Sequence, residues 1–478
     1  MATRSMIATI LRKEVVEIVR DGRLRLLAAL MMILASAALA FGVHQANKER
    51  AARDAAQSRA TAQWTDQGKK NPHVAAHYGT HVFAPANVTT AIDPGVSSYL
   101  GRSIKIEAHK RNFAAHSKAQ DSGSHVQLGA FSVATILLQL MPLLIIALGY
   151  GTWSRERERG TLRQLLSTGV RRRDLFWGKL LGLGTIIGAL LVPAGCVIVI
   201  VLWFLSGGIE AVFTRLMALV LSYLIYFSIF GALTIFASAV CRHSRTALVL
   251  MIGLWGFFCL VIPRVATEVA GSVQPLISEA EFTRRVEQSL KTGIDGKAER
   301  DSAVDAIMKD LLAEDGFADA GLMLDPAVAR GAELRAEAAW EDMVFDHHVT
   351  ELNRTMQNQE NWVSRLGLLS PFVSMRTLSA GLCGTDLNHH IHFGDYTEHW
   401  RKRFVGLLNQ AFAERSGEDG WAYKAGPDLW KNAPPFEYAS PGLMFIWHRH
   451  GLSLMYLLGW LVIALILAAR ASARVKVV

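Results

Sequence analysis

The sequence predicts an all-α integral membrane protein, with six transmembrane helices, an N-terminal amphipathic helix and two large, mostly helical extracytoplasmic insertions. Three observations predict it. With 51% apolar residues and a mean hydropathy of +0.24 over 478 residues, the chain is too hydrophobic for an ordinary soluble protein; with 19% charged residues, it is too charged to lie wholly in lipid. Six apolar runs have the length of about 20 residues that crosses a bilayer core, at roughly 25–43, 128–150, 178–205, 213–240, 246–264 and 450–470. Lys and Arg crowd the short segments beside these runs, so the net charge of +9 reports topology and not a nucleic-acid partner.

Residues 1–24 come first. Met6, Ile10, Leu11, Val15, Ile18 and Val19 recur at helical spacing, with Arg12, Lys13, Glu17 and Arg20 on other faces. That is the pattern of an amphipathic helix lying on the inner membrane surface. Ala38-Leu39-Ala40 has the form of a signal-peptide cleavage site, but the patterned residues ahead of the apolar run favour a retained span. Arg4, Arg12, Lys13, Arg20 and Arg23, and the arginines of 151–177, face the cytoplasm by the positive-inside rule, so six spans put both termini inside. Segments 44–127 and 265–449 then fall outside. Within the spans, Gln139, Pro142, Pro193 and Ser222 face a pathway or serve helix packing, and Arg215 and Arg264 snorkel at span ends. Cys196, Cys241 and Cys259 sit in or at spans, which leaves Cys383 alone outside and excludes a disulfide framework there.

The loop 151–177 between the second and third spans is the most informative stretch. It reads Glu156-Arg157-Glu158-Arg159-Gly160-Thr161-Leu162-Arg163-Gln164-Leu165-Leu166, and Gly178-Lys179 follows as the chain re-enters apolar sequence. Trp153 suits the membrane interface, Gly160 permits a break, and Thr161 can cap a short helix through its hydroxyl. Leu162, Leu165 and Leu166 form a small apolar face that needs a partner, Glu156 and Glu158 suit basic groups on that partner, and Arg171 to Arg173 suit anionic headgroups. The run resembles the Glu-x-Glu-x-Gly-Thr-Leu…Leu-Leu…Gly-Lys pattern of ABC-2-type ABC transporter permeases, with Gly169 where many relatives have proline.

The resemblance implies that 156–168 is a coupling helix docked on a separate ABC ATPase subunit, and that 1–24 is the elbow helix of that architecture. It also implies a dimer, with a second copy or a related permease, in a bacterial inner membrane. Glu156, Glu158, Gly160, Thr161, Leu162, Leu165, Leu166, Gly178 and Lys179 are the expected coupling residues. No G-x-x-x-x-G-K-[ST] phosphate loop occurs, so this chain is expected to bind no cofactor, leaving ATP and Mg to the partner.

The first insertion opens with a helical, polar stretch, Lys48 to Lys70, and becomes turn-rich through Asn71-Pro72-His73 and Asp93-Pro94-Gly95. The second is mainly helical. Leu334, Ala338, Phe345, Val349, Leu352 and Met356 mark one side of a helix from about 327 to 365, and a shorter helix is expected near 395–416. Leu366 to Leu382 is apolar but broken at Ser370-Pro371, too short to span, and is expected to pack on the outer membrane surface or dip into it. With Gly384-Thr385-Asp386-Leu387-Asn388-His389-His390, these segments resemble a subgroup of ABC-2 permeases that carries a domain of unknown function. That subgroup is similar to permeases of gliding-motility and nitrous-oxide-reductase maturation systems. Such permeases imply export; the alternatives are mechanical relay of ATPase motion to periplasmic partners, or copper or sulfur handling for metalloenzyme maturation.

Of 16 histidines, only His243 falls in a segment expected to be cytoplasmic. His73, His77 and His81 recur every four residues, and His389, His390 and His392 cluster near Asp386. Imidazoles at such spacings suit copper or zinc. Against that, Pro72 and Gly79 oppose one continuous helix through the first set, and the second set alternates along its own backbone. Hydrogen bonding at turns and domain contacts is the reading adopted, so no metal is assigned; His73, His77, His389, His390 and His392 are the candidates should one bind. No H-E-x-x-H, Ser-His-Asp or Cys-His arrangement occurs, and no catalytic centre is expected.

Overall fold

The computed structural model describes residues 2–85, 87–117, 131–206, 210–317 and 325–476. It is mostly helical. Helix α1 (Ala2–Arg20) turns at Asp21 into α2 (Gly22–Thr65). At 44 residues, α2 is about 66 Å long. The apolar run 25–43 and the polar stretch after it are therefore one unbroken helix, and no break marks the start of the first insertion. The distal end of α2 is anchored by Trp64, whose indole donates to the Trp430 carbonyl at 3.1 Å.

Helix α3 (Pro72–Tyr78) and the antiparallel strands β1 (Thr80–Phe83) and β2 (Ser103–Ile106) follow. Thr80 pairs with Ile106 and Phe83 with Ser103. This small sheet corrects the all-α expectation: the turn residues on either side concealed two four-residue strands, too short for alternation to register.

The apolar helices come next. Helix α4 (Val133–Thr135) runs through a π turn at Ile136–Leu140 into α5 (Met141–Gly149). Two short helices, α6 (Ser154–Glu158) and α7 (Thr161–Ser167), lead into α8 (Arg172–Ser206), then α9 (Glu210–Val240) and α10 (Ser244–Gly256). A second π turn joins α10 to α11 (Ile262–Val273). After the connecting body, α18 (Leu443–Ala473) returns. Among the described residues, six helical stretches are long and apolar enough to cross a membrane. Their outer faces leave Leu26, Ile33, Phe41, Val192 and Phe204 exposed. Contiguous bare apolar surface of this kind is stable only against hydrocarbon or another chain. Helix α9 is the central post: Tyr226, Ile229, Phe230, Ala232 and Ile235 are all buried against its neighbours.

The body between α11 and α18 comprises α12 (Glu279–Thr292), α13 (Arg300–Glu314), α14 (Pro326–Arg365), α15 (Pro371–Cys383), α16 (Leu387–Arg415) and α17 (Pro427–Lys431). Helix α16 is longer than the expected 395–416 stretch. Asp386 starts it early, accepting from the His389 amide as a side-chain cap. Ser370 caps α15 and Pro371 occupies its first turn. At 13 residues α15 is about 20 Å long, too short to span, and it is buried on most sides between α9 and α18.

Candidate functional site

The site begins where α1 lies against α8. Gly178 and Gly182 make that approach possible: a Cβ on Gly178 would stand 2.4 Å from the Ile10 side chain, and one on Gly182 would stand 2.8 Å from Glu14 Cβ. Between these glycines the helices bury a cluster of charges. Lys179 is 1% exposed. Its Nζ meets Glu14 Oε1 at 2.9 Å, Glu156 Oε1 at 2.9 Å and the Thr152 carbonyl at 2.8 Å, and it lies 5.5 Å from the Trp153 ring. Lys13 closes the cluster from the half-exposed side, pairing with Glu14 at 3.2 Å and also with Glu156. The two buried acids face two lysines, and the exposed Glu17 also reaches Lys13, at 3.4 Å. Burial alone would raise the Glu14 carboxyl, but Lys179 and Lys13 outweigh it and hold the group below its usual 4.5.

Helix α6 also ties down two helix ends. The Arg157 guanidinium donates to the Cys241 and Ala239 carbonyls, at 2.8 and 2.9 Å, satisfying the C-terminus of α9. Glu158 accepts from the Ser244 amide at 2.8 Å and its hydroxyl at 2.9 Å, capping α10 from outside. Glu156 and Glu158 were expected to seek basic groups on a partner; both instead find their partners within the chain. Trp153 is fully buried and not interfacial, its amide donating to Ser238 Oγ at 2.9 Å.

Gly160 takes a left-handed conformation (φ 74°), which breaks α6 from α7 and favours glycine there. Thr161 does not cap α7 as expected. Its hydroxyl donates to the Glu156 carbonyl at 3.2 Å, and Gly160 occupies the cap position. The apolar face of α7 is largely used: Leu162 is buried, and Leu165 and Leu166 pack half-buried on the core. What α7 leaves exposed is polar, namely Thr161, Arg163, Gln164 and Ser167, with Thr168 exposed just past its end.

The structure thus joins Glu156, Gly178 and Lys179 in one node and sends 160–166 outward from it. Sequence reasoning missed Glu14, Lys13, Arg157, Ser238 and Ser244. One signal was present for Glu14: it sits midway between Ile10 and Ile18 at four-residue spacing, an acid on the apolar stripe of an amphipathic helix.

The histidines divide differently from their sequence clusters. His73 and His77 share α3, while His81 lies apart in β1. Asp386 is buried and accepts from the rings of His389 and, at 2.7 Å, His450. His392 meets the Tyr438 hydroxyl at 2.9 Å, and burial pushes His390 down to about 4. A cavity of about 460 Å³, lined by Arg50, Arg53, Asn87, His389 and His390 among others, opens beside them. Burial and then the nearby Asp386 carboxylate raise Glu360 to about 7. A carboxyl whose folded pKa exceeds its unfolded 4.5 stabilises fully below 4.5 and loses that contribution as pH rises through 7. Glu360→Gln is therefore expected to raise the melting temperature at pH 8, by the equivalent of up to about 3 kcal/mol, and to change it little at pH 4.5. Scanning fluorimetry in detergent at both pH values checks this; equal shifts at both would contradict it.

A sequence profile described as ABC-2 family transporter protein matches residues 8–476. The chain belongs to that family. An ABC-2 transporter protein of this kind is the membrane permease subunit of an ABC transporter, and such permeases typically work with a separate ABC ATPase. This ABC-2 permease is accordingly a multi-pass membrane protein, a transport component. No curated protein matches the chain closely enough to serve as a named relative.

Proposed function

We propose that the chain couples ATP hydrolysis in its partner to export, with α7 as the part on which the ATPase pushes. The observation that carries this reading is the contrast between the two sides of 154–167. Inward, the segment is locked to α1, α8, α9 and α10 through Lys179, Arg157 and Glu158; outward, α7 presents Thr161, Arg163, Gln164 and Ser167. A force on the outward side is passed to four helices at once, because a buried ion cluster and two capped helix ends deform little. Expulsion of solute then follows from tilting α8 and α9 around the node.

In this reading α7 and both termini face the cytoplasm, the lipid is that of the bacterial inner membrane, and a second permease copy or a related permease completes the pathway. The bare apolar faces of α2 and α8 support burial in lipid or against that second copy. The body from α12 to α17 lies on the far side, where it shapes the exit or docks a periplasmic partner. The motifs of the two insertions support placing the chain in the subgroup with large periplasmic insertions, similar to gliding-motility and nitrous-oxide-reductase maturation permeases.

The test uses the permease and its ATPase reconstituted together in vesicles. Arg163→Glu reverses an exposed charge on α7 for which the described residues show no ion pair. It is expected to lower permease-stimulated ATP turnover about tenfold or more, as loss of an interfacial charge contact does, with the melting temperature of the permease unchanged. Stimulation equal to that of the native chain would remove α7 from the docking surface.

A further inference from the structure

Three histidines from two separate parts of the chain meet beside α3, and the geometry around them is that of a ligand set. His73 and His77 stand one turn apart on α3, held there by Asn71, whose side chain accepts from the His73 and Val74 amides at 2.9 and 3.2 Å. Gly79 ends the helix with φ 65°, where a Cβ would strike the Ile106 carbonyl, so β2 runs hard against the end of α3. The turn that follows β2 is then bonded onto α3, with the Ala108 amide donating to the Ala76 carbonyl at 2.9 Å. His109, at a left-handed position in that turn (φ 62°), is thereby brought against both rings, with centroids 4.7 Å from His77 and 5.4 Å from His73.

We propose that His73, His77 and His109 form a binding site for one divalent transition-metal ion of the zinc or copper class. One potential ligand nitrogen from each lies within 4.8 Å of the other two, and the Nε2 atoms of His73 and His77 are 3.0 Å apart. Two nitrogens on a tetrahedral zinc at about 2.0–2.1 Å stand roughly 3.3 Å from each other, so little movement is needed.

The second partners of the rings set the tautomers. His109 Nδ1 lies 2.6 Å from Glu341 Oε2, and an ionised carboxylate only accepts, so Nδ1 carries a proton and Nε2 is the nitrogen left to face a metal ion. His73 Nδ1 meets Asn409 Oδ1 at 2.9 Å, which leaves its Nε2 in the same role. Imidazoles oriented by a carboxylate or amide oxygen behind them are the usual first ligands of zinc and copper. The Nε2–Nε2 contact of His73 and His77 holds one proton between two bases, and a metal ion replaces that proton. His73 is buried while His77 is exposed, so the ion has a fixed inner ligand and an open side for water or a passing ligand. Glu341 and Asn409 are positioning residues. The site stands independently of the coupling role of α7.

The experiment titrates the full chain, purified in detergent and stripped with a chelator, with Zn(II) alone and with Cu(II) alone against a chromophoric competitor. One equivalent of at least one ion is expected to bind with Kd below about 1 µM. His77→Ala removes an exposed ligand without opening the core, and is expected to weaken binding about 100-fold. Glu341→Gln is expected to weaken it by about 10- to 100-fold and to leave the metal-free melting temperature unchanged. His347→Ala, in a separate group of His347, His348 and Glu351, is expected to bind as the native chain does. Native Kd weaker than about 10 µM for both ions, His77→Ala binding as tightly as the native chain, or loss of binding in His347→Ala would each overturn the proposal.

Discussion

Lys179→Met is expected to cost about 3–5 kcal/mol, enough to abolish a monodisperse, folded permease in most detergents. The side chain is 1% exposed and supplies the central cation between Glu14 and Glu156. Methionine fills much of its volume but leaves two buried carboxylates with only the half-exposed Lys13. Glu156 already has one buried oxygen, Oε2, without a hydrogen-bond partner. Removing one member of a buried ion cluster strands the charge of the others, whereas removing all members together is often tolerated. The triple variant Lys179→Met, Glu14→Gln, Glu156→Gln is thus expected to recover most of the loss. Size-exclusion profiles and melting curves of the single and triple variants decide it.

The pH dependence has a definite sign. In the native chain the lysines hold Glu14 below 4.5, so its contribution is complete above that value and fades only as pH falls through the lowered pKa. In Lys179→Met the burial effect is less opposed and the Glu14 carboxyl rises. The gap between variant and native chain should therefore narrow as pH drops below about 5, where the stranded acid can protonate. A native melting curve for Lys179→Met at pH 7 would refute the account of the node.

Asp386→Ala is the second large effect, expected at about 3–5 kcal/mol. This one carboxylate caps α16 through the His389 amide, accepts from the His389 ring, and reaches His450 on α18 at 2.7 Å. Burial would raise it; its bonds to the two imidazoles outweigh burial and hold it far below 3.8. His450 itself is wedged against Gly381 of α15, where a Cβ would come within 2.4 Å of the ring. Alanine therefore removes a helix cap, worth about 1 kcal/mol, and leaves a buried imidazole N–H without an acceptor at a tightly packed crossing. Asp386→Asn keeps an acceptor and should fall between the two. Melting temperatures in that order, native above Asn above Ala, are the expected result; an Ala variant as stable as the native chain would mean the hub carries no weight.

How much of this could be seen beforehand varies by element for physical reasons. The apolar runs were legible because length and hydropathy are local properties. The stripe from Leu334 to Met356 was legible for the same reason, and α14 runs from Pro326 to Arg365. The start of α16 was missed because a cap at Asp386 outweighs the broken amphipathic pattern after it. Strands β1 and β2 were missed because each exists only through its partner 20-odd residues away. In the α6–α7 segment the residues of interest were visible, but their partners were not. Glu158 looked free because Ser244, which it caps, lies 86 positions on; Glu156 looked free because Lys13 lies 143 positions before it.

By itself, the sequence determined that the chain is a helical membrane protein and that a charged, leucine-bearing pattern at 156–166 lies between two apolar runs, since both follow from residue order within a few turns. Only the tertiary structure decided that this pattern is half inward-facing ion cluster and half outward-facing helix, and that His109 joins His73 and His77. Charges and imidazoles choose partners by proximity in space, and the close approaches at Gly178, Gly182 and Gly79 bring together groups that the chain holds far apart.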